Sequence, residues 1–227
     1  LENEHDIINN RGPRRVSPLF VSKMIPNIAG GHLSMKFGFR GPSQTIISAC
    51  ASSNDAIGIA LRLIRYGDAD IMLTGGTEAS ITPLTISGFA NMKALSQNCT
   101  NPTKASRPFD ADRDGFVLSE GAGILMLESE EHALKRGAPI LAELAGYGST
   151  DDAFHITQPA PEGLGANKAM KNALQDANLL PNDINYINAH GTSTPFNDKN
   201  ESIAIGNVFK KNINKLKVSS TKSMTGH

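Results

Sequence analysis

Three residues in this 227-residue chain combine a reactive type with a suggestive setting: Cys50, His190 and His227. Cys50 follows an apolar, β-prone run (Thr45, Ile46, Ile47). It precedes a helical pattern through Ala56, Ile57, Ile59, Ala60, Leu61, Leu63 and Ile64 that Gly67 ends. A cysteine where a strand turns into a helix meets unpaired backbone N–H groups and the positive end of the helix dipole. Both favour the nucleophilic thiolate over the thiol. Alone this is weak, because free cysteines are among the most buried residue types and most are inert packing groups. The two histidines change the balance. His190 opens His190-Gly191-Thr192-Ser193-Thr194-Pro195, and His227 closes Ser219-Ser220-Thr221-Lys222-Ser223-Met224-Thr225-Gly226-His227. Each lies in a small, hydroxyl-rich, glycine-containing loop after a strand pattern, where open α/β folds place ligands. A nucleophile with two such histidines is a catalytic constellation. The same trio could ligate zinc. There is no Cys-x-x-Cys and no close histidine pair, so no metal site is predicted.

A second metal pattern also falls short. Asp110-x-Asp112-x-Asp114-Gly115 matches the start of an EF-hand loop. The twelfth position is Gly121, with Glu120 one residue early, and the strand-like Phe116-Val117-Leu118 follows at once. Cys99 sits in the polar loop 97–102 and is given no role.

The elements that must carry these residues alternate. A short helix is expected near 29–37 and a turn at 38–42. The strand into Cys50 follows, then a helix buried all round because apolar residues cover nearly its whole circumference. Strands are expected at 69–74, 124–127, 140–147, 184–189 and 216–220, and helices at 129–136, 163–177 and 203–209. Gly75-Gly76 marks an unusual φ or a close approach. Residues 1–16 are polar, with Arg11, Arg14 and Arg15 around Gly12-Pro13, and read as a solvated loop. The alternation implies an α/β architecture with crossovers. Lys+Arg and Asp+Glu are equal at 22 each, so no net field draws nucleic acid or an anionic membrane surface. No apolar run is long enough to span a bilayer. Two cysteines far apart suit a reducing compartment, and a cytoplasmic location is expected. The chain begins with Leu1 and ends at His227, and both ends look cut.

Ser48-Ala49-Cys50-Ala51-Ser52-Ser53, Asn188-Ala189-His190-Gly191-Thr192-Ser193-Thr194-Pro195 and the 219–227 run, in that order and separation, resemble the β-ketoacyl-acyl carrier protein synthases. These are the elongating condensing enzymes of the thiolase-like superfamily, of the type with a Cys-His-His triad. The resemblance implies a thiolase-like layered α-β-α-β-α fold, present as a fragment of both pseudo-repeats. Residues 1–137 would be the later part of the N-terminal half and 138–227 the start of the C-terminal half. It further implies a decarboxylative Claisen condensation. Cys50 would be acylated, and His190 and His227 would stabilise the enolate formed from malonyl-acyl carrier protein, with activation of water or assistance to decarboxylation as an alternative role for His190, without cofactor or metal. Lys222 would act electrostatically near His227. Thr192 and Thr194 would lie along the malonyl and phosphopantetheine path, with Phe89 lining a pocket. Asp198 and Glu201 would form an internal charge network. Arg14, Arg15 and Lys93 would meet the acidic acyl carrier protein, and the family's homodimer would be expected.

Family chains are considerably longer. The opening elements of the first half are missing here, as is the later glycine-rich loop whose Phe gates the cysteine and which donates the second oxyanion-hole N–H. The segment alone is therefore expected to be an incomplete catalyst. A polyketide-type ketosynthase uses the same triad and is the alternative within the fold. A non-catalytic partner like the chain-length factors is disfavoured because Cys50 and both histidines are present.

Overall fold

A computed structural model describes residues 1–227 and divides them into two compact units. The first comprises Leu1–Gly76 and Ile124–Ile140, the second Thr77–Gly123 and Leu141–His227.

The first unit opens with helix α1 (Glu2–Arg11) instead of the expected loop. No residue of α1 is buried, so it leaves no apolar stripe for a pattern reading to find. Glu2 and Glu4 in its first turn and Arg11 in its last complement the helix dipole. Gly12, at φ 81°, ends it, and Pro13 begins the 3₁₀ turn Pro13–Arg15. Helices α2 (Phe20–Met24) and α3 (Ile28–Phe37) follow, the latter stopped by left-handed Gly38 at φ 70°. The run 45–47 expected as a strand joins no ladder. Its β-branched residues favour extension, but a strand also needs a neighbour that no local pattern can supply. Helix α4 (Ser52–Arg65) buries Gly58, Ala60 and Leu61, so it is amphipathic where an all-round apolar surface was expected. Strand β1 (Ile71–Glu78) and strand β2 (Gly121–Glu128) form a two-stranded sheet. Ile124, Leu125 and Met126 of β2 are about half exposed, not buried as their hydropathy suggested, because β2 has one neighbouring strand only. Helix α6 (Glu130–Lys135) is capped by Ser129. Glu128 at the end of β2 accepts two 2.6 Å hydrogen bonds from Arg136 and a 2.5 Å contact with His132, which fixes the strand–helix corner.

The second unit begins with helix α5 (Pro83–Asn91), capped by the Thr82 hydroxyl. Leu95 then pairs in parallel with Phe116 in an isolated bridge. Residues 140–147 make no ladder either. Instead the 146–148 stretch lies against helix α7 (Leu164–Asp176). A Cβ on Gly146 would fall 2.6 Å from the Ala173 carbonyl oxygen, and one on Gly148 would fall 2.2 Å from that of Ala169, so only glycine fits. Strands β3 (Tyr186–Asn188) and β4 (Lys217–Ser219) pair in parallel, with Ile187 opposite Val218. Helix α8 (Pro195–Val208) is the crossover between them, as parallel neighbours require. It contains most of the 203–209 run expected to belong to a helix and begins eight residues before it, with Thr194 as N-cap residue and Pro195 at its first position. Ala204, Ile205 and Phe209 are almost fully buried on its inner side. Helix α9 (Lys222–Thr225) follows β4. Both strands therefore deliver their following loops from the same end of the pair.

Candidate active site

In the second unit those two loops bring His190 and His227 together, with ring centroids 5.1 Å apart and planes at 87°. Backbone contacts fix each ring's position. Ala189 N–H donates to Ser219 O (2.8 Å), extending the β3–β4 ladder to the residue before His190. The Glu201 carboxylate accepts the backbone N–H groups of His190 (2.6 Å) and Gly191 (2.7 Å). The buried Ser220 hydroxyl faces the carbonyl oxygens of His190 (3.2 Å) and Gly191 (2.9 Å), tying one histidine loop to the other. Gly191 is required here, because a Cβ would fall 2.5 Å from Ser220 Cβ. His227 is held by a two-way bond to the 117–119 segment: its N–H donates to Val117 O and its carbonyl accepts from Ser119 N–H, both at 2.8 Å.

Electrostatics push both imidazoles toward the neutral form. Burial lowers the His190 pKa most, the Lys222 ammonium lowers it further and His227 adds to this, leaving it at about 4. Burial and then Lys222 also lower His227. Lys222 is positioned by its own backbone, with its carbonyl accepting the Ser106 hydroxyl at 2.5 Å. Two neutral imidazoles near a lysine charge offer N–H donors to a developing oxyanion without carrying an acidic imidazolium proton.

Phe89 connects to this pair through Phe116. The Phe89 and Phe116 rings meet edge-on at 5.2 Å, and Phe116 meets His227 in the same way at 5.4 Å. The Thr192 and Thr194 hydroxyls hydrogen-bond each other at 2.8 Å, at the far end of the His190 loop. Asp198, only 1% exposed, accepts the Phe109 N–H (2.8 Å) and lies 3.5 Å from Arg113 Nε. Two carboxylates of the near-match to a calcium loop are engaged by several or distant protein donors. Asp114 accepts from Ser96, Gln97 and Arg107, and Glu120 from Ile81 N–H. Lys93 is exposed at the end of α5 with φ 56°.

Cys50, Arg14 and Arg15 belong to the first unit. Cys50 is exposed in the 3₁₀ turn Ala49–Ala51 that runs straight into α4. The turn is tight: Ala49 has φ 51°, Ser48 N–H donates to the Ser52 hydroxyl (2.9 Å), and that hydroxyl donates to Ala49 O (2.8 Å). The Ser48 hydroxyl donates to the Asp55 carboxylate. A Cβ on Gly76 would fall 2.0 Å from the Ser53 hydroxyl, which is the close approach expected at the Gly75-Gly76 pair. Arg14 and Arg15 are exposed in the Pro13–Arg15 turn.

Pattern reading missed Phe116, Ser220 and Arg113. Arg113 carried a signal, a cation inside the acidic run 110–114, but two of its partners are some eighty residues away in sequence.

Known proteins match the chain nearly from end to end. A model of the β-ketoacyl synthase N-terminal domain covers residues 2–133, and one of the β-ketoacyl synthase C-terminal domain covers 141–227. The 3-oxoacyl-[acyl-carrier-protein] synthase 2 of Staphylococcus aureus is 54% identical over 227 residues, covering 100% of this chain and 56% of that protein. The mitochondrial 3-oxoacyl-[acyl-carrier-protein] synthase of Arabidopsis thaliana is 52% identical over 217 residues, covering 94% of this chain and 47% of that protein. Among solved structures, a type II polyketide synthase acyl-carrier protein in complex with its ketosynthase, bound to the hexaketide, matches with TM-score 0.93 and 43% identity. It covers 96% of this chain and 54% of that one. The chain thus spans about half the length of the curated relatives it matches.

Proposed function

The chain belongs to the β-ketoacyl synthase family and has its thiolase-like ketosynthase fold, and on that premise we propose that the protein carrying it condenses an acyl thioester with malonyl-acyl carrier protein in fatty acid elongation. The Cys50 thiolate attacks the acyl thioester carbonyl, the carrier thiol leaves, and an acyl-Cys50 thioester results. Malonyl-acyl carrier protein then loses carbon dioxide, and the electron pair of the broken C–C bond becomes an enolate. His190 and His227 donate N–H hydrogen bonds to its oxygen, and the enolate carbon attacks acyl-Cys50. The cysteine thiolate leaves and a 3-oxoacyl chain two carbons longer remains on the carrier. The thioester and the departing carbon dioxide supply the driving force, so the scheme calls for no cofactor.

The observation that carries this reading is the perpendicular His190–His227 pair, with the His190 pKa held at about 4. An imidazolium would hand its proton to the enolate carbon and abort condensation, whereas neutral donors stabilise the oxygen alone. Burial, with Lys222 adding to it, keeps the pair neutral, and Thr192 and Thr194 bind the malonyl and pantetheine path. Phe89 lines the acyl pocket. Asp198 and Glu201 form an internal charge network, in which Glu201 accepts from the His190 loop and Asp198 faces Arg113. Arg14, Arg15 and Lys93 dock the carrier protein, a proposal supported by their exposure and by the solved pairing of a similar ketosynthase with an acyl-carrier protein. The proposed division is into halves 1–137 and 138–227, with the family models at 2–133 and 141–227 as its support. A homodimer and a cytoplasmic location complete the proposal. Neither cysteine forms a disulfide, in keeping with a reducing compartment, and no helix is long and apolar enough to cross a membrane.

The experiment is product analysis. The full polypeptide carrying this sequence, given long-chain acyl- and malonyl-acyl carrier protein, should release carbon dioxide and yield the 3-oxoacyl product. Decarboxylation and condensation both absent would end the reading. The 43% identity to a ketosynthase bound to a hexaketide favours the second reading, a polyketide-type enzyme. Sustained extension of unreduced 3-oxoacyl chains would establish it.

A further inference from the structure

We propose that Arg113 is a positioning residue for the decarboxylation half-reaction, acting through the backbone of the His190–Pro195 loop; the proposal rests on the condensing-enzyme reading above. The guanidinium clamps that loop from outside. Its Nε donates to Thr194 O at 3.0 Å, one terminal nitrogen to Pro195 O at 2.9 Å, and the other to Asp110 O at 2.8 Å. Nε also faces the buried Asp198 carboxylate at 3.5 Å, so the charge is compensated where the fork binds. The rest of the segment around Arg113 makes the same connection. Arg107 N–H donates to the Ser193 hydroxyl (3.0 Å), Phe109 N–H to Asp198 (2.8 Å) and Gly115 N–H to Ser193 O (3.0 Å).

The loop needs a clamp because it is not relaxed. Ser193 is fully buried at φ 68°, in the left-handed region that serine avoids, and Gly191 is at φ 42°. Such a backbone persists only where its surroundings over-determine it. Glu201 and Ser220 fix the His190 end, and Arg113 fixes the Thr194–Pro195 end. Between these ends lie the Thr192–Thr194 hydroxyl pair and the His190 ring. Loss of the fork lets Ser193 relax and moves both away from the oxyanion, while Cys50, on another segment, is not held by any of these bonds.

The test uses Arg113→Lys and Arg113→Gln in the full polypeptide, with two separate rates. Acylation of Cys50 is followed by mass spectrometry, and decarboxylation of malonyl-acyl carrier protein by carbon dioxide release. Lysine keeps the charge toward Asp198 but cannot bridge both carbonyls. Its decarboxylation kcat should fall about tenfold or more, with acylation changed less than about threefold, as expected for misplacement of groups that act only on the second step. Gln, which still donates to one carbonyl, should fall in the same direction. Equal loss of both rates, or unchanged decarboxylation, overturns the proposal while leaving the condensing-enzyme reading intact. Variants that lose their fold before the two rates separate assign Arg113 to stability alone and also overturn it. A wild type that performs neither half-reaction overturns the underlying reading and this proposal with it.

Discussion

Replacing Lys222 by methionine should release His190 from part of what holds it neutral. The imidazole pKa falls from its ordinary 6.5 to about 4, which corresponds to roughly 3 kcal/mol in favour of the neutral ring. Burial is the leading cause, the Lys222 charge the second and His227 the third. Methionine keeps the apolar stem and removes the charge together with the ammonium donors, so the His190 pKa should rise yet stay below 6.5. The consequence is largest under acid conditions. At pH 5 a pKa of about 4 leaves roughly 90% of the ring neutral, against roughly 3% for an unperturbed imidazole, so close to thirtyfold in neutral donor is at stake between those limits. Titration of labelled imidazole by NMR gives the pKa directly, and decarboxylation rate against pH gives the functional counterpart. The acid limb should lie near pH 4 in the wild type and move upward in K222M. Stability follows the same sign. The unfolded chain takes up the His190 proton first as pH falls through 6.5, so folded-state stability is complete above 6.5 and declines toward 4. K222M narrows that window. A His190 pKa of 6.5 or more in the wild type, or one that K222M leaves unmoved, would refute the electrostatic argument.

Other perturbations probe the support of the His190 loop, the packing behind the cysteine turn and the corner between β2 and α6. Glu201→Gln leaves the His190 and Gly191 N–H groups competing for one good acceptor. It should cost about 1–3 kcal/mol in denaturant melts and slow decarboxylation more than Cys50 acylation. Gly76→Ala drives a methyl into the Ser53 side chain and should destabilise by about 1–3 kcal/mol, with a lower melting temperature as the readout. Glu128 is held at about 2 by hydrogen bonds from Arg136 and then His132, against an ordinary 4.5. Its contribution to stability is therefore full above 4.5 and is lost as pH falls toward 2. Urea melts across that interval should show a pH slope that Glu128→Gln reduces.

The candidate site residues stand out in the sequence more readily than the scaffold does. Cys50, His190 and His227 announce themselves by residue type and by glycine- and hydroxyl-rich neighbours, and the helices around 52–65 and 164–176 follow from local periodicity. What depends on distant partners was not legible. Residues 45–47 and 140–147 have strand-like composition but find no strand to pair with within a chain that spans about half of its relatives. Helix α1 buries nothing, so it leaves no apolar periodicity. Arg113 and Ser220 look like ordinary polar residues until the fold sets them on carbonyl groups in remote loops. Phe116 looks like a strand residue until its ring meets His227.

Peptide-mapped mass spectrometry after incubation with long-chain acyl-acyl carrier protein tests the central claim most directly. The full polypeptide should carry a single acyl thioester on Cys50, with none on Cys99, and Cys50→Ala should carry none. An unmodified Cys50 in that polypeptide, or acylation that persists in Cys50→Ala, would contradict the account.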